Sequence, residues 1–510
     1  MIAFVDRHRA LIALLSLGLA ARFLLAFALF PMQGYAGDLS QFWQWAQALA
    51  ANGPSTFYAS TPSANYPPAY LYVLWALGIV GNPALLKLPP MLADIAIGAM
   101  AYTLASRWRG QRAGLAAAAL FLFLPVSWYD SALWGQVDAV GAAFALAALV
   151  LLVDGWSEAA LATAVLAVLV KPQYAITLAV VIPVLVRRHL IRIGSGPSPA
   201  AGTRTVLLGR PLGRPLGGLL LDQGPVRLVS SAAVAGIVAL VLILPFDLAA
   251  YVPASLADVP VVDQLAGLAG LFGRLGNEFS VLTANAYNPW ALVGDPSLAA
   301  VAASGSGTWT ADSLAVWGGL PAVVLGGGLL AAIGLIVAGG LLVRDGLVTI
   351  LLGFSILALA FFVVPTRVHE RYLFPFFATA SILAAPAATS MAGLVGVALL
   401  NTANLHAVLS GALRASSSGA FGRGGAGGLG NGAFGGARGP AGLPGSGGAG
   451  FSSLSLPLGD LVTSQAVVTA SAVGLAAALV LLLGAWAVVV LGGHRSSAVA
   501  TPLAVGAAGR

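Results

Sequence analysis

The chain has 510 residues, of which 59% are hydrophobic, only 8% are charged and none is cysteine, and its mean hydropathy is +0.93. A soluble domain carries about a quarter charged residues, so this composition excludes a water-soluble fold of this length. Apolar runs long enough to cross hydrocarbon recur along the whole sequence, which predicts about 10–13 membrane spans. Lipid offers the backbone no hydrogen-bond partner, so the spans are expected to be helices in an all-α polytopic bundle.

The absence of cysteine excludes disulfides, thiolate chemistry and cysteine-ligated metals. The formal net charge is +7, and the basic residues lie in short loops between apolar runs. In a membrane protein such residues set the orientation by remaining on the cytoplasmic side. This distribution argues against a nucleic-acid partner.

Arg7 and Arg9 precede the first apolar stretch, from about residue 10 to 30. This stretch is longer than the apolar part of a usual signal peptide and lacks a convincing cleavage site, which predicts a retained first helix with a cytoplasmic N-terminus. The segment 159–186 is expected to form two short helices. Further spans are expected near 88–106, 113–129, 139–153, 228–247, 314–343, 346–364, 373–390, 393–412 and 466–492.

Charge in the loops predicts their side of the membrane. Residues 187–227 hold seven arginines against one acid, and the loop at 247–312 holds one arginine against six acids. The loop at 187–227 and the Arg107–Arg112 turn are therefore predicted to be cytoplasmic, and the loop at 247–312 is predicted to be extracytoplasmic. The apolar segment 69–82 is too short to span comfortably, so an interfacial and a re-entrant placement both stay open.

Residues 415–450 contain 16 glycines, a composition that cannot bury enough apolar surface to offset its backbone entropy. This segment is predicted to be a flexible linker. The expected division is a transmembrane module at 1–390, an additional helix at 391–414, the linker at 415–460, and a last helix with a short tail at 461–510.

Polar residues close to apolar spans are functional candidates, because a charge in the bilayer is costly. The first candidate is Asp38, in Gly37-Asp38 after the first span. From Asp38 onward, apolar and polar residues alternate at helical spacing, which predicts an amphipathic helix in the membrane interface. Asp38 at its start is open to two interpretations, an N-cap or a general base at the lipid–water boundary.

Two further clusters precede apolar segments. Tyr66, in Asn65-Tyr66-Pro67-Pro68, stands where two prolines fix the chain direction, so a structural role and a role in the site both remain open. In the segment from Asp130 to Asp138, which includes Trp134 and Gln136, a helix would place Asp130, Trp134 and Asp138 on one face. These two acids are interpreted as either functional groups or polar packing.

The fourth cluster runs from Pro365 to Tyr372 and contains Arg367, His369, Glu370 and Arg371. A helix there would let Glu370 pair with Arg367. Arginine and histidine at a membrane interface suit a phosphate, because guanidinium matches it bidentately. The alternative is topological anchoring, which the positive-inside rule disfavours at a loop predicted to be extracytoplasmic.

Lys171, in Lys171-Pro172-Gln173, interrupts an apolar stretch. It either extends its ammonium group toward the interface or meets an anion in a cavity, and the spacing does not choose between these. All of the clusters together show no convincing set of metal ligands, so we expect neither a metal nor another cofactor.

These elements in this order resemble the GT-C membrane glycosyltransferases. Val368-His369-Glu370-Arg371 is similar to the His-Glu-Lys element of the dolichyl-phosphate-glucose-dependent glucosyltransferases. Two further elements resemble those of prokaryotic relatives of the glycosylphosphatidylinositol mannosyltransferases, namely Trp134-Gly135-Gln136-Val137-Asp138 and Lys171-Pro172-Gln173. The resemblance covers roughly residues 1–390. One departure is Asn65, since the glucosyltransferases carry an acid before Tyr-Pro-Pro.

The resemblance implies a GT-C-like fold with interfacial helices in the first external loop and a multi-pass enzyme of the cell membrane. Asp38 would be the catalytic base and would act on an acceptor hydroxyl of a glycan, lipid or protein. The donor would be a polyprenyl-phosphate-linked hexose, with mannose favoured, and transfer would invert the anomeric centre on the extracytoplasmic side. His369 and Arg371 would lie near the donor phosphate, and Lys171, Arg367, Glu370, Tyr66, Gln136, Asp130 and Asp138 are further candidates for the substrate site.

Two other functions are compatible with the same residues. In a transporter or flippase of lipid-linked sugars, polar residues would line a path across the membrane. In a non-catalytic assembly subunit, the charges would pair with a partner's helices. Convergence of Asp38 and the 367–371 segment on one membrane face would favour the enzyme, and their separation would exclude it.

Overall fold

The computed structural model describes residues 2–191, 206–207, 210–211, 224–253, 259, 261–293, 310–411 and 450–492, and these residues are predominantly helical. The helices are α1 (Ile2–Phe23), α2 (Ala36–Asn52), α3 (Phe57–Ser60), α4 (Pro68–Val80), α5 (Leu88–Arg109), α6 (Gln111–Phe123), α7 (Pro125–Trp128), α8 (Asp138–Val153), α9 (Ser157–Val170), α10 (Ala175–Val186), α11 (Pro225–Ile243), α12 (Val262–Asn277), α13 (Ala322–Val343), α14 (Leu347–Val363), α15 (Phe374–Ala384), α16 (Ala388–Leu409), α17 (Gly459–Val462) and α18 (Gln465–Leu491).

Wider π-helical turns extend three of these helices, at Leu24–Leu29 after α1, Tyr129–Trp134 after α7 and Arg187–Ile191 after α10. Short 3-10 turns lie at Pro83–Lys87, Pro172–Tyr174, Ala249–Tyr251, Pro289–Leu292 and Trp317–Gly319. Strand β1 (Gln33–Gly34) pairs in parallel with β4 (Ser452–Ser453). Strands β2 (Val206–Leu207) and β3 (Arg210–Pro211) pair with each other.

One end of the bundle is lined with basic residues and their partners, and we call it the basic face. Arg107 pairs with Asp154 at 2.8 Å, and Arg227 pairs with Glu158 at 3.2 Å. Asp345 accepts from Arg187 at 2.9 Å and from Arg188 at 2.6 Å. The opposite end, which we call the site face, holds the four polar clusters singled out in the sequence.

Seven described helices are long and apolar enough to cross a membrane, and α6 with α7 and its extension forms a bent pair that meets the same test. Five shorter apolar helices add to these, namely α4, α8, α9, α14 and α15. All of these helices except α4 run between the two faces in alternation. The multi-pass helical architecture is confirmed, and the number of crossings stays a prediction because four of the helices are short for a bilayer.

Helix α4 begins and ends near the site face, which excludes a crossing by residues 69–82 and is compatible with both the interfacial and the re-entrant placement. Tyr66, just before α4, donates to Gln136 at 3.0 Å. Lys87, just after it, donates to the carbonyl of Ala132 at 2.8 Å. The segment therefore returns to the face from which it started, and α5 alone crosses from there to the basic face.

The predicted amphipathic helix is confirmed as α2, which buries Leu39, Phe42, Trp43, Trp45, Ala46 and Leu49 on one side. This side packs on α4 through an aromatic cluster that includes Tyr66 and Tyr70. The contact is close, since a Cβ added at Gly78 of α4 would clash with the carbonyl of Ala46. Helix α2 is thereby fixed to the bundle, and Asp38 with it.

A buried ion pair that the sequence interpretation missed links α1 to α5. Arg22 and Asp94 are 2.7 Å apart, with side chains 1% and 0% exposed. Arg22 also donates to the carbonyls of Gly18 and Leu122 and to the Ser127 hydroxyl. Each charge interrupts an apolar span, which was the available signal.

Most of the predicted linker, residues 415–449, lies outside the described residues. Residues 450–458 are described, and they lie on the site face beside β1. Helix α18 packs on α14 and α16, and its Trp486 ring also lies against Gly340 of α13, where an added Cβ would clash with the ring. The boundary proposed at residue 390 stays a prediction.

Candidate active site

The carboxylate of Asp38 is held by two side chains from the segment between α7 and α8. Its Oδ2 atom accepts from Nε1 of Trp134 at 2.9 Å and from Nε2 of Gln136 at 2.7 Å. Tyr35 is the N-cap of α2, and no side chain caps this helix end. The N-cap interpretation of Asp38 is therefore wrong, and its carboxylate points toward the bundle.

Trp134 and Gln136 reach Asp38 because the chain leaves the helix between them. Gly135 adopts a left-handed conformation with φ 82°, and the N–H groups of Gly135 and Gln136 both donate to the carbonyl of Asp130, at 3.1 and 3.0 Å. A continuous helix with Asp130, Trp134 and Asp138 on one face, which the sequence left open, is not formed for this reason. The glycine permits the reversal at little steric cost.

Tyr66 and the backbone of Val137 fix the orientation of the Gln136 side chain. The Tyr66 hydroxyl donates to Oε1 of Gln136, which also accepts from the backbone N–H of Val137 at 2.9 Å. Burial raises the pKa of the Tyr66 hydroxyl well above its usual range, so it remains a donor. With Oε1 occupied in this way, the amide nitrogen of Gln136 is oriented toward Asp38.

Lys171 meets an anion inside the bundle, and that anion is Asp138 at the start of α8. The ammonium nitrogen lies 2.8 and 3.0 Å from the two carboxylate oxygens, and Asp138 also accepts from Gln173 at 2.8 Å. Both members of the pair are buried, with side chains 8% and 0% exposed. The sequence left open whether the ammonium group of Lys171 extends to the interface or meets an anion in a cavity, and in the structure it meets an anion.

Arg371 connects this pair to Asp38. Its guanidinium donates to Glu370 at 2.7 Å and lies 3.7 Å from Asp138. The guanidinium carbon lies 5.5 Å from the centre of the Trp134 ring, whose N–H binds Asp38. Trp134 is thus contacted by the carboxylate through its edge and by the guanidinium over its face.

The pairing of Glu370 with Arg367 that a helix would allow is not formed, because the chain from residue 364 to 373 is not helical. Arg367 has φ 67°, and its side chain turns to Asp312 at 2.6 Å and Asn277 at 2.7 Å. It joins the loops after α12 and before α13. Arg371 is the partner of Glu370 instead.

The charge states of the neighbouring residues follow from burial. Burial raises the pKa of the Glu370 carboxyl, and the charge of Arg371 opposes that rise. Burial, and after it the charges of Arg371 and Lys171, hold the pKa of the His369 imidazole well below its usual range. The centre of the imidazole ring lies 4.7 Å from the ring centre of Phe279 and 5.2 Å from that of Tyr372. His369 is therefore a neutral group in an aromatic setting rather than a cation.

Asp130 is fully buried, and neither oxygen of its carboxyl group has a hydrogen-bond partner in the structure. It lies close enough to Asp138 and Lys171 to interact with them electrostatically. Its backbone carbonyl shapes the turn that presents Gln136, as described above. Its contribution visible in the structure is therefore through the backbone.

Several residues near the site were not singled out in the sequence. Glu278, after α12, accepts from Asn65 at 3.0 Å, which places an acid from elsewhere in the chain beside the position where the glucosyltransferases carry their own. Asn401 donates to the carbonyl of Glu370 at 2.9 Å. Asparagine within an apolar span was the signal for Asn401, and no local pattern pointed to Glu278.

Among the described residues, no group of three or more His, Asp or Glu side chains is arranged to hold a metal ion. The chemistry that the cluster offers is a half-buried carboxylate, Asp38, separated by an indole from a buried guanidinium. Such a pair can accept a proton on one side and stabilise an anion on the other. All of these groups lie at one end of a polytopic helical membrane protein.

No protein-family model matches the chain, and no curated protein matches it. The chain is similar to the crystal structure of ArnT from Cupriavidus metallidurans bound to undecaprenyl phosphate, with 15% identity and a TM-score of 0.42 over 78% of this chain and 64% of that one. It is also similar to the oligosaccharyltransferase AglB from Archaeoglobus fulgidus in complex with an inhibitory peptide and a dolichol-phosphate. That similarity has 14% identity and a TM-score of 0.38, over 80% of this chain and 52% of that one.

The apo form of the Archaeoglobus fulgidus oligosaccharyltransferase gives 15% identity and a TM-score of 0.39, with 54% of that chain covered. The chain thus spans between about half and two thirds of the length of these solved proteins.

Proposed function

We propose that this protein is an inverting membrane glycosyltransferase of the GT-C type. It transfers a hexose, with mannose favoured, from a polyprenyl-phosphate-linked donor to an acceptor hydroxyl on the extracytoplasmic side of the membrane. One observation carries the proposal: Asp38 and Arg371, which are distant in the sequence, contact the edge and the face of the same Trp134 ring. The motifs on which the resemblance rests thereby converge at one face.

Asp38 has the properties of a general base. Oδ2 carries both described hydrogen bonds, and no described residue donates to Oδ1. The side chain is half-buried, so an acceptor hydroxyl can approach it. Oδ1 would take the hydroxyl proton as the acceptor oxygen attacks the anomeric carbon, and Trp134 and Gln136 would hold the carboxylate in place.

Arg371 and Lys171 supply the positive side of the site. Among the described residues, Arg371 makes one hydrogen bond, from Nη1 to Glu370, so Nη2 would be a donor for a ligand. As the bond between the anomeric carbon and the phosphate oxygen breaks, the leaving polyprenyl phosphate gains negative charge. The two cations would stabilise that charge in a setting where electrostatic interactions are strong.

A donor carried by a lipid has to be met at the membrane, which accounts for a polar site at the end of a helical bundle. The four polar clusters lie together at the site face. This arrangement favours sugar transfer over transport, because a transporter needs polar groups along a path between both sides of the membrane. A single displacement at the anomeric carbon inverts its configuration.

The test offers membranes containing the protein a set of radiolabelled polyprenyl-phosphate sugars with glycan, lipid and protein acceptors. Asp38→Asn should reduce transfer by about 10²–10⁴-fold, the typical contribution of a general base. Asp247→Asn is the matched control, since Asp247 is exposed and only caps the backbone N–H of Ala249. Normal transfer by Asp38→Asn, or movement of the intact donor across the membrane without cleavage, would refute the proposal.

A further inference from the structure

The strand that leads into Asp38 is paired with the C-terminal part of the chain. Strand β1 ends two residues before α2 begins, and Gln33 and Gly34 pair in parallel with Ser452 and Ser453. The backbone N–H of Ser452 also donates to the carbonyl of Met32 at 3.1 Å. Met32 has φ 56°, an uncommon conformation for a residue with a side chain. The pairing with β4 thus supports a bend just before Asp38.

The other side of β1 lies against the turn that presents Trp134. A Cβ added at Gly34 would approach the carbonyl oxygens of Leu133 and Trp134 at 2.8 and 2.9 Å. The Tyr35 ring stacks on the Trp134 ring, with centroids 4.7 Å apart. Strand β1 is therefore enclosed between this turn and β4, and any shift of β4 leaves it supported on one side only.

Residues 450–458, which we call the strap, have their own anchors on the bundle. Leu454 is 3% exposed. The carbonyl of Pro457 lies 2.6 Å from Nε2 of His406, and Nδ1 of the same ring lies 2.9 Å from the Tyr129 hydroxyl. The strap is thus tied to α16 and to the π-helical turn after α7, so its place beside β1 is well defined.

The cation side of the site is also held from this part of the chain. Asn401 of α16 is fully buried, and its amide donates to the carbonyl of Glu370, the residue before Arg371. Asn404, one turn further on, accepts from the N–H of Tyr287 at 2.9 Å and donates to the carbonyl of Asn285 at 2.7 Å. Asn285 forms a backbone bridge with His369. Helix α16 therefore fixes the loop that carries Arg371.

We propose that the strap and Asn401 are positioning elements of the transferase site. The strap sets the place of Asp38 through β1, and Asn401 sets the place of Arg371 through the carbonyl of Glu370. Together they fix the distance between base and cation across Trp134. The inference rests on the proposed function and assigns a catalytic contribution to the chain beyond residue 390.

Ser452→Pro tests the strap, because proline removes the N–H that binds the carbonyl of Met32. Ser452→Ala keeps that N–H and is the matched control, since the serine side chain is exposed. Ser452→Pro should lower kcat on the order of tenfold to a hundredfold, as for a misplaced reacting group, while KM for the donor stays near that of Ser452→Ala. Equal kcat values for the two variants would overturn the assignment of the strap.

Asn401→Leu tests the cation side with a side chain of similar size that lacks the donor. Thr402→Val is its control, because the Thr402 hydroxyl only bonds within α16, to Ala398. Asn401→Leu should raise KM for the donor more than it lowers kcat, which is the reverse of the pattern expected for Ser452→Pro. The same kinetic constants as in Thr402→Val would remove Asn401 from the proposal.

A readout independent of activity uses the absence of cysteine from the chain. Asp38→Cys introduces a single thiol, whose labelling rate by a maleimide reports how firmly position 38 is held. Labelling should be several-fold faster with Ser452→Pro than with Ser452→Ala, and equal rates would contradict positioning by the strap. If no donor sugar is transferred by the wild-type protein, the proposed function fails, while this comparison still decides the role of the strap.

An engineered disulfide tests whether the strap stays paired with β1 during turnover or opens like a lid. Gln33 and Ser452 are paired residues, so Gln33→Cys with Ser452→Cys can be bridged without large backbone movement. The oxidised double variant should retain the activity of its reduced form. Loss of activity on oxidation, restored by reduction, would mean that the strap leaves β1 during turnover, and the proposal would be overturned.

Discussion

Arg371 carries much of the charge balance of the candidate site. Its guanidinium lies beside Glu370 and Asp138, whose side chains are 1% and 0% exposed. Arg371→Met should lower the free energy of unfolding by about 3–5 kcal/mol, because it leaves the buried Glu370 carboxylate without its partner. Sugar transfer should be lost as well. Thermal unfolding in detergent and the transfer assay measure the two effects.

The double variant Arg371→Met with Glu370→Gln separates stability from function. It removes both charges of the pair, so it should regain most of the lost stability and remain inactive. Arg274→Met serves as the control, since Arg274 is exposed and its loss should cost less than about 1 kcal/mol. Wild-type unfolding and transfer in Arg371→Met would contradict the role given to this residue.

His369 should make the stability of the protein sensitive to mild acid. Burial holds the pKa of its imidazole below that of the unfolded chain, which is about 6.5. The stabilisation is therefore complete above pH 6.5 and is lost as the pH falls toward the pKa of the folded protein. The melting temperature of the wild type should decline from pH 7.5 to 5 more steeply than that of His369→Gln, and parallel curves would show that the imidazole is not held neutral.

At the scale of elements, the close contact of α2 with α4 determines where Asp38 lies. A Cβ at Gly78 would clash with the carbonyl of Ala46, so Gly78→Ala has to push the two helices apart. We expect the free energy of unfolding to fall by about 1–3 kcal/mol, as for other overpacked contacts. Transfer should fall too, because α2 carries the base.

Gly393→Ala is the control for this substitution. Gly393 lies within α16 and has open space where a Cβ would be added. Alanine there should be neutral or stabilise the protein by up to about 1 kcal/mol through helix propensity. Equal melting temperatures for the two alanine variants would show that the α2–α4 contact is not tight.

The elements themselves were largely predictable, and their interruptions were not. Apolar periodicity predicted α2 with its buried side, and run length predicted the spans. Spacing alone left a helix from Asp130 to Asp138 open, and it is not formed because the left-handed Gly135 ends the helical turn. Spacing also allowed a helical pairing of Glu370 with Arg367, whose side chain instead binds Asp312 from another loop. Turns of this kind depend on partners that are distant in sequence.

At the scale of the whole molecule, the two faces make a prediction about orientation. The site face should be extracytoplasmic and the basic face cytoplasmic. Ser60→Cys on the site face and Gln111→Cys on the basic face introduce single, exposed thiols into a chain without cysteine. A membrane-impermeant maleimide applied to intact cells should label the first and spare the second. The reverse labelling would place the site in the cytoplasm.

The amino-acid sequence alone was enough to predict a helical membrane protein, because apolar run length and low charge reflect the solvent in which each segment lies. It also indicated which polar residues are candidates for a function, since a charge near lipid is costly wherever it occurs. Asp38, Lys171 and Arg371 were found in this way. So were the loops that now mark the two faces.

Which of these residues contact one another follows from the folded structure and not from the sequence pattern. The fold joined Asp38 to Trp134 and Gln136, paired Arg371 with Glu370, and sent Arg367 to a separate loop contact. It also brought Ser452 and Asn401, which follow the predicted module, to the two sides of the site. The physical reason is that hydrogen bonds and ion pairs form between groups close in space, and a one-dimensional pattern records which groups need partners without recording which partners they find.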